Sequence, residues 1–334
     1  MKTYIIAEIG INHNGNMNLA KKMIKLAART GADGVKFQLY DTDNLLIKTT
    51  PKTEYQKKNT SKKINIYKIL KQCQLSEKNL KDLKVECKKH KIDFLSSVFD
   101  LKSLETLKKI GTKFFKLPSG EINNYPLIKS ISKIKKKKII LSTGMASIND
   151  ITNCMRILKN GRCKKQDISI LHCSTDYPAK FKDLNLKAIN LIRQKFKTNV
   201  GYSDHSNGIE ASIAAVVLGA KIIEKHFTLS KTMNGPDHKA SLSFREFRYM
   251  VSCIRNIEIG IGKKIKKISQ TEKKNSSIVR KSIVASREIF KGERFSENNI
   301  STKRPGTGIS PMKWKSIIGR KAKKKFKKDQ LISI

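Results

Sequence analysis

Short apolar runs alternate along the chain with longer stretches whose apolar residues recur at helical spacing, and the pair repeats about every thirty residues. The runs predict strands over 4–8, 35–38, 93–99, 114–117, 138–142, 168–173, 199–203 and 221–226. Between them, 19–30, 101–110, 186–195 and 208–218 carry the one-sided apolar pattern of amphipathic helices. The first two stop at Gly31 and Gly111, and glycine is favoured just past a helix end. A strand with its crossover helix fills such a repeat, so eight alternations predict an α/β fold of the (β/α)8 TIM-barrel type. An open doubly wound sheet is the alternative.

The pattern changes after Gly262. A polar, lysine-rich stretch follows, and beyond it the apolar runs shorten and turn glycines crowd together at Gly292, Gly306 and Gly308. This predicts a barrel over 1–265, a linker over 266–279 and a small β-rich domain over 280–334.

Polar residues cluster where each apolar run stops. Asn12-His13-Asn14-Gly15, Ser96-Ser97, Ser142-Thr143-Gly144, Ser174-Thr175-Asp176-Tyr177 and Ser203-Asp204-His205 are examples. In a barrel the C-terminal strand ends form one mouth, and that mouth is where the chemistry of such folds sits. Turns favour Ser, Asn, Asp and Gly in any case. Turn statistics do not account for Lys36, Lys116, His205, Glu224 and His226, which fall inside or at the rim of buried strands, where an unpartnered charge is costly.

Composition narrows the function class. The chain of 334 residues is 38% hydrophobic, enough for a sizeable core, and disorder is excluded. No run approaches the roughly 18 apolar residues of a membrane span, and the first ten residues lack the features of a signal peptide. Six scattered cysteines without a C-x-x-C pair read as reduced thiols of a cytoplasmic protein. Lysine and arginine number 71 against 27 acidic residues, a net charge of +44. Most of the excess is lysine, spread over the whole chain with abundant isoleucine and asparagine, as in a sequence drifting toward A/T-rich codons. Nucleic-acid readers interleave arginine and aromatics on one face, which this chain does not. A non-catalytic basic nucleic-acid-binding protein therefore stands as the distant alternative, and no nucleic-acid or membrane partner is expected.

Several runs now carry a family resemblance: Ala7 to Gly15 (AEIGINHNG), Val35 to Gln38 (VKFQ), Lys116 to Glu121 (KLPSGE) and Leu141 to Met145 (LSTGM). Leu171-His172-Cys173, Gly201 to His205 (GYSDH), Glu224 to Thr228 (EKHFT) and Gly235 to His238 (GPDH) continue it in order. The chain resembles bacterial N-acetylneuraminate (sialic acid) synthases, and its tail, with Lys303-Arg304-Pro305-Gly306, resembles their antifreeze-like SAF (β-clip) domain. Legionaminate and pseudaminate synthases share most of these motifs.

The resemblance implies condensation of phosphoenolpyruvate with N-acetylmannosamine and water, giving N-acetylneuraminate and phosphate; the alternative is a legionaminate or pseudaminate synthase. It implies a phosphoenolpyruvate site at Lys36, Gln38, Lys116, Ser119, Ser142 and Ser203, and a trianion does require cations with hydroxyl and amide donors. It places a divalent metal, Mn²⁺ first and Mg²⁺ or Co²⁺ otherwise, on His205 and His226. It points to Tyr177, Asp237 and Arg304 for the amino sugar, Arg304 reaching from the partner of a domain-swapped homodimer. Glu8 and Glu121 are the candidates for general acid/base work. The family's phosphate-binding asparagine falls at Thr175 in one register, so that contact is not carried over.

Overall fold

The computed structural model describes residues 2–61, 63–112, 114–135, 137–161 and 163–334. Eight parallel strands close into one barrel in chain order. They are β1 Tyr4–Gly10, β2 Gly34–Leu39, β3 Asp93–Val98, β4 Phe114–Leu117, β5 Lys138–Ser142, β6 Ile168–Cys173, β7 Asn199–Asp204 and β8 Ile222–His226. The closed barrel answers the sequence expectation, and the open sheet is set aside.

Strand periodicity explains how one barrel holds both a core and a site. Alternate residues face inward, and low on the strands these are Ile6, Leu95, Ile140 and Leu171, which pack as a separate apolar cluster. Two residues further along the same faces stand Glu8, Ser97, Ser142 and Cys173. Their counterparts on β2, β4, β7 and β8 are Lys36, Lys116, Ser203 and Glu224. The outward-facing residues, among them Ile5, Val35, Phe37, Ile139 and Ile223, pack with the helices in the main core. Gly201 has no room for a side chain, since a Cβ would lie 2.4 Å from Leu171 Cδ2 and 2.5 Å from the Ile222 carbonyl.

The crossover helices begin and end on local signals. Asp100 caps Leu101–Ile110 by accepting from the Ser103 amide at 2.8 Å, and Gly111 ends that helix with φ of +75°. Ser147 and Asp150 form a capping box at the start of Ile148–Asn160. The thirty-residue repeat breaks once, between Leu39 and Asp93, where four helices intervene: Thr42–Leu45, Glu54–Asn59, Ile66–Cys73 and Glu77–Lys89. Only the last buries the stripe Leu80, Leu83 and Cys87 of an ordinary crossover helix. The other three contribute Leu45, Tyr55, Gln56 and Leu70 to the mouth.

A second compact unit runs Lys263–Ile334. In it β9 Ser282–Ala285 pairs antiparallel with β10 Ile300–Lys303. Isolated bridges join Ile289 to Phe326 and Val284 to Leu331, and the core is built on Ile283, Ile289, Phe295 and Phe326. The stretch expected to be a linker is not featureless: it holds a helix, Gln270–Val279, which buries none of its residues. Ser269 and Glu272 form a capping box there, so local hydrogen bonds set a helix that lacks any apolar face to announce it. All six cysteines are free thiols. Among the described residues no helix is long and apolar enough to cross a membrane.

Candidate active site

Strand register builds the floor of the mouth. Glu8 lies opposite Lys36 on one side and His226 on the other, and Ser203 lies opposite Glu224. Lys36 Nζ is 2.6 Å from Glu8 Oε2 and 3.7 Å from Glu224 Oε1, and it donates to Ser97 Oγ at 3.0 Å. Lys116 Nζ donates to both oxygens of Glu224, at 2.8 and 2.9 Å, and Ser203 Oγ donates to Glu224 Oε1 at 3.0 Å. Two lysines and two glutamates thus form one buried quartet whose formal charges cancel. Burial raises the pKa of Glu224, but Lys116 and Lys36 outweigh it and hold the carboxyl down at about 2. For Glu8 burial wins over the pull of Lys36, and its pKa is raised.

Two histidines stand beside this floor. Burial pushes His205 down to about 4 and His226 well below the ordinary imidazole value, so both are neutral at pH 7. Their ring centroids are 5.5 Å apart. His205 Nδ1 contacts the Ser174 carbonyl, and its Nε2 is 3.3 Å from Ser203 Oγ. His226 Nδ1 is buried with no hydrogen-bond partner, as is Ser142 Oγ. Outside the barrel wall, between the residues that present these groups, Lys225 Nζ pairs with Asp204 at 2.9 Å, both fully buried. Asp204 also accepts from the Ser206 amide and from the hydroxyls of Ser206 and Ser212, and Lys225 donates to the Ser206 carbonyl, so Lys225 ties the β8 end to the β7 end.

Tyr177 roofs the histidines. Its ring stacks on His205 at 4.1 Å and meets His226 edge-on at 5.5 Å, and Tyr55 lies against its other side at 4.8 Å. Gly10, with φ of +54°, keeps a narrow gap open: a Cβ there would meet Glu8 Oε1 at 3.0 Å, Gln38 Nε2 at 3.4 Å and His226 Cε1 at 3.6 Å.

The mouth encloses a cavity of about 400 Å³ that brings together eleven sequence candidates: Glu8, Lys36, Gln38, Lys116, Ser119, Ser142, Tyr177, Ser203, His205, His226 and Asp237. Thr175 lines it as well. Glu121 does not: it sits on the turn Ser119–Glu121, and its carboxylate accepts from Asn124 Nδ2 at 2.6 Å. Arg304 belongs to the second unit, where it is exposed. His172 and His238, which carried no ligand expectation, bond the Leu184 carbonyl and Thr228 Oγ1. Sequence reading noticed Glu224 as a charge in a buried strand but gave it no role, and it proves to be the hub. The signal was available, because Glu224 and His226 are two apart on one strand and so share its inward face. A larger cleft of about 630 Å³ opens at the opposite end of the barrel, between Lys133 and Asp167. Its buried Lys137 is spent on the carbonyls of Ser132 and Ile134, so the chemistry is assigned to the mouth.

Asp237 carries a cost that can be measured. Burial, and then the charge of Glu8, raise its carboxyl from 3.8 to about 7. The folded pKa lies above the unfolded one, so the associated stability is complete below about pH 4 and is lost as pH rises through 7, at roughly 1.4 kcal/mol per unit. Asp237→Asn is therefore expected to raise Tm at pH 8 and leave it unchanged at pH 4. Equal shifts at both pH values in thermal unfolding scans would refute this.

Comparison with known proteins follows the same lines. The NeuB family model matches residues 23–266, and the SAF domain model matches 280–334. An N,N'-diacetyllegionaminic acid synthase of Campylobacter jejuni is 50% identical over 331 residues, covering 99% of each chain. One from Legionella pneumophila is 40% identical, covering 96% of this chain and 90% of its own. The crystal structure of an N-acetylneuraminic acid (sialic acid) synthetase from Leptospira borgpetersenii, in complex with citrate, superposes with a TM-score of 0.73 at 32% identity, covering 82% of this chain and 90% of that one. The chain is thus an enzyme of the NeuB family of nonulosonic acid synthases, with a SAF domain at its C-terminal end.

Proposed function

We propose that this enzyme condenses phosphoenolpyruvate and water with a hexose bearing two acetamido groups, releasing N,N'-diacetyllegionaminate and phosphate. The observation that carries the reaction is the buried quartet of Lys36, Lys116, Glu8 and Glu224 beside two neutral histidines in one mouth. The sequence reading put N-acetylmannosamine first. The 50% identity to a legionaminic acid synthase over the whole chain favours the diacetamido sugar instead.

In this reading Lys36, Lys116, Ser119, Ser142 and Ser203 hold the phosphate and carboxylate of phosphoenolpyruvate, and the unpartnered Ser142 hydroxyl is free to donate. His205 and His226 would give a divalent ion two neutral imidazole donors, and an octahedral shell otherwise made of oxygen fits Mn²⁺, with Mg²⁺ and Co²⁺ as the other candidates. Among the described residues no group of three or more potential ligands is assembled, so water and substrate oxygen would complete the shell. When bound, such an ion supplies Lewis-acid polarisation of the sugar aldehyde. C3 of phosphoenolpyruvate attacks the aldehyde carbon, C2 gains oxocarbenium character, and water adds at C2. The C–O bond to phosphate then breaks. Water gives up two protons in all, one to the new hydroxyl and one to the departing phosphate as C2 becomes the keto carbon. Glu8, with its raised pKa, is suited to carry the first. Glu121 lies off the cavity and is given no such role.

Phosphate release from purified protein supplied with phosphoenolpyruvate, Mn²⁺ and a panel of hexosamines tests this, with the product mass identifying the sugar. Phosphate release without a nine-carbon sugar acid, with the mass of the hexose plus pyruvic acid, would refute it. Arg304 remains proposed as the arm that reaches a partner's sugar site. Mixing Arg304→Ala chains with Lys116→Ala chains is then expected to restore activity, because one heterodimer site carries both lesions and the other neither. No recovery despite proven subunit exchange would exclude the swapped arrangement.

A further inference from the structure

The part of the mouth left over by the charged floor and the histidines is apolar. Ile11, Tyr40, Leu45, Leu70 and Phe99 line it, brought together from the loops after β1, β2 and β3 and from two of the short helices of the long connection. They form a hydrophobic cluster separate from the main core. Two of the polar side chains nearby, Tyr40 and Gln56, are already engaged within the protein, while Asp237 stands at the edge of the patch. Tyr40 Oη donates to the Leu70 carbonyl at 3.0 Å. Gln56 accepts from the Thr53 amide at 3.0 Å and donates to Tyr55 Oη at 3.3 Å. The wall therefore presents methyl groups and ring faces, with few donors or acceptors to spare.

This bears on which sugar fits. If the aldehyde end lies at the histidines and phosphoenolpyruvate on the lysines, the far end of an open-chain hexose is left against this wall. A hydroxyl pressed there loses its water without gaining a partner. A methyl group, whether of a deoxygenated carbon or an acetamido group, gains by being buried there. We infer that Ile11, Tyr40, Leu45, Leu70 and Phe99 are the specificity-determining wall, selecting a deoxygenated, diacetamido hexose over N-acetylmannosamine. This rests on the reaction proposed above, and apart from Ile11 it assigns residues outside the motifs that carried the resemblance.

The test compares kcat/KM for the diacetamido deoxyhexose with that for N-acetylmannosamine, in the parent and in two variants, Leu70→Asn and Leu45→Asn. Leu45 lies at the end of a four-residue helix and is half-buried, so that variant keeps the test alive if Leu70→Asn unfolds. The parent should prefer the deoxy sugar, and each folded variant should lose about tenfold or more of that preference. The KM for phosphoenolpyruvate should stay within about twofold, since neither leucine touches the ionic floor. An unmoved ratio in a folded variant would overturn the wall assignment while leaving the reaction intact, whereas a parent preference for N-acetylmannosamine would overturn both the wall and the sugar proposed above. Phosphate release with neither sugar would overturn the reaction and the wall together.

Discussion

Glu224→Gln should lose about a hundredfold to a thousandfold in kcat while keeping its affinity for phosphoenolpyruvate. Glutamine preserves the shape of the side chain but removes one of the two negative charges that balance Lys36 and Lys116. The floor then carries a net positive charge, which attracts a trianion at least as strongly as before. What is lost is orientation. Lys116 is held by both carboxylate oxygens, at 2.8 and 2.9 Å, and Ser203 by one of them. Without that clamp the cations still bind anions but no longer meet the reacting geometry. Leaving a buried lysine short of its partner also costs about 3–5 kcal/mol. The ligand-free variant should therefore melt lower, and saturating phosphoenolpyruvate should recover much of the difference. Steady-state phosphate release and ligand protection in thermal unfolding read the two effects separately. A kcat within tenfold of the parent, or an affinity lost with kcat preserved, would contradict the role given to Glu224.

His205→Ala combined with His226→Ala is expected to abolish the response of phosphate release to Mn²⁺, and to lower turnover by about a thousandfold or more. Both rings are neutral and buried in the mouth, and His226 Nδ1 has no partner inside the protein. Alanine at 205 also removes the ring on which Tyr177 stacks, so lost turnover alone would be ambiguous. Isothermal titration of Mn²⁺ into the protein resolves this, because a displaced tyrosine would leave the ion's binding isotherm in place. The parent should give one site per chain and the double variant none. Unchanged binding in the variant would move the ion elsewhere.

The barrel was legible because each strand is a continuous apolar run that ends in polar residues, a pattern that survives without any knowledge of neighbours. Lys36, Lys116, His205 and His226 stood out for the same reason: each is a polar residue in, or just past, the C-terminal part of an apolar strand. Glu224 is another, but its role depends on which charges face it across the barrel, and pairing across 108 positions leaves no local mark. The helix Gln270–Val279 was hidden in a lysine-rich stretch because it has no apolar face, and only its Ser269 cap speaks for it. Tyr55 and the apolar wall were hidden for a different reason. They come from the long β2–β3 connection, where short helices follow the shape of the mouth and keep no regular period. Glu121 is the reverse case, a carboxylate in a matching motif whose side chain turns toward Asn124.

The cancelling formal charges of the buried quartet have a consequence for life among abundant anions. A pair of bare lysines would be occupied by whatever small oxyanion is most plentiful, inorganic phosphate included. Here Glu8 and Glu224 already satisfy both cations, so an incoming ion has to displace contacts that are short and shielded from solvent. An ion with one anionic group offers little in exchange. One with a phosphate and a carboxylate on a rigid frame can engage both lysines at once. If the floor is where phosphoenolpyruvate binds, it would filter ligands by how many points of attachment they have, and discriminate by valency where the protein's overall charge of +44 cannot.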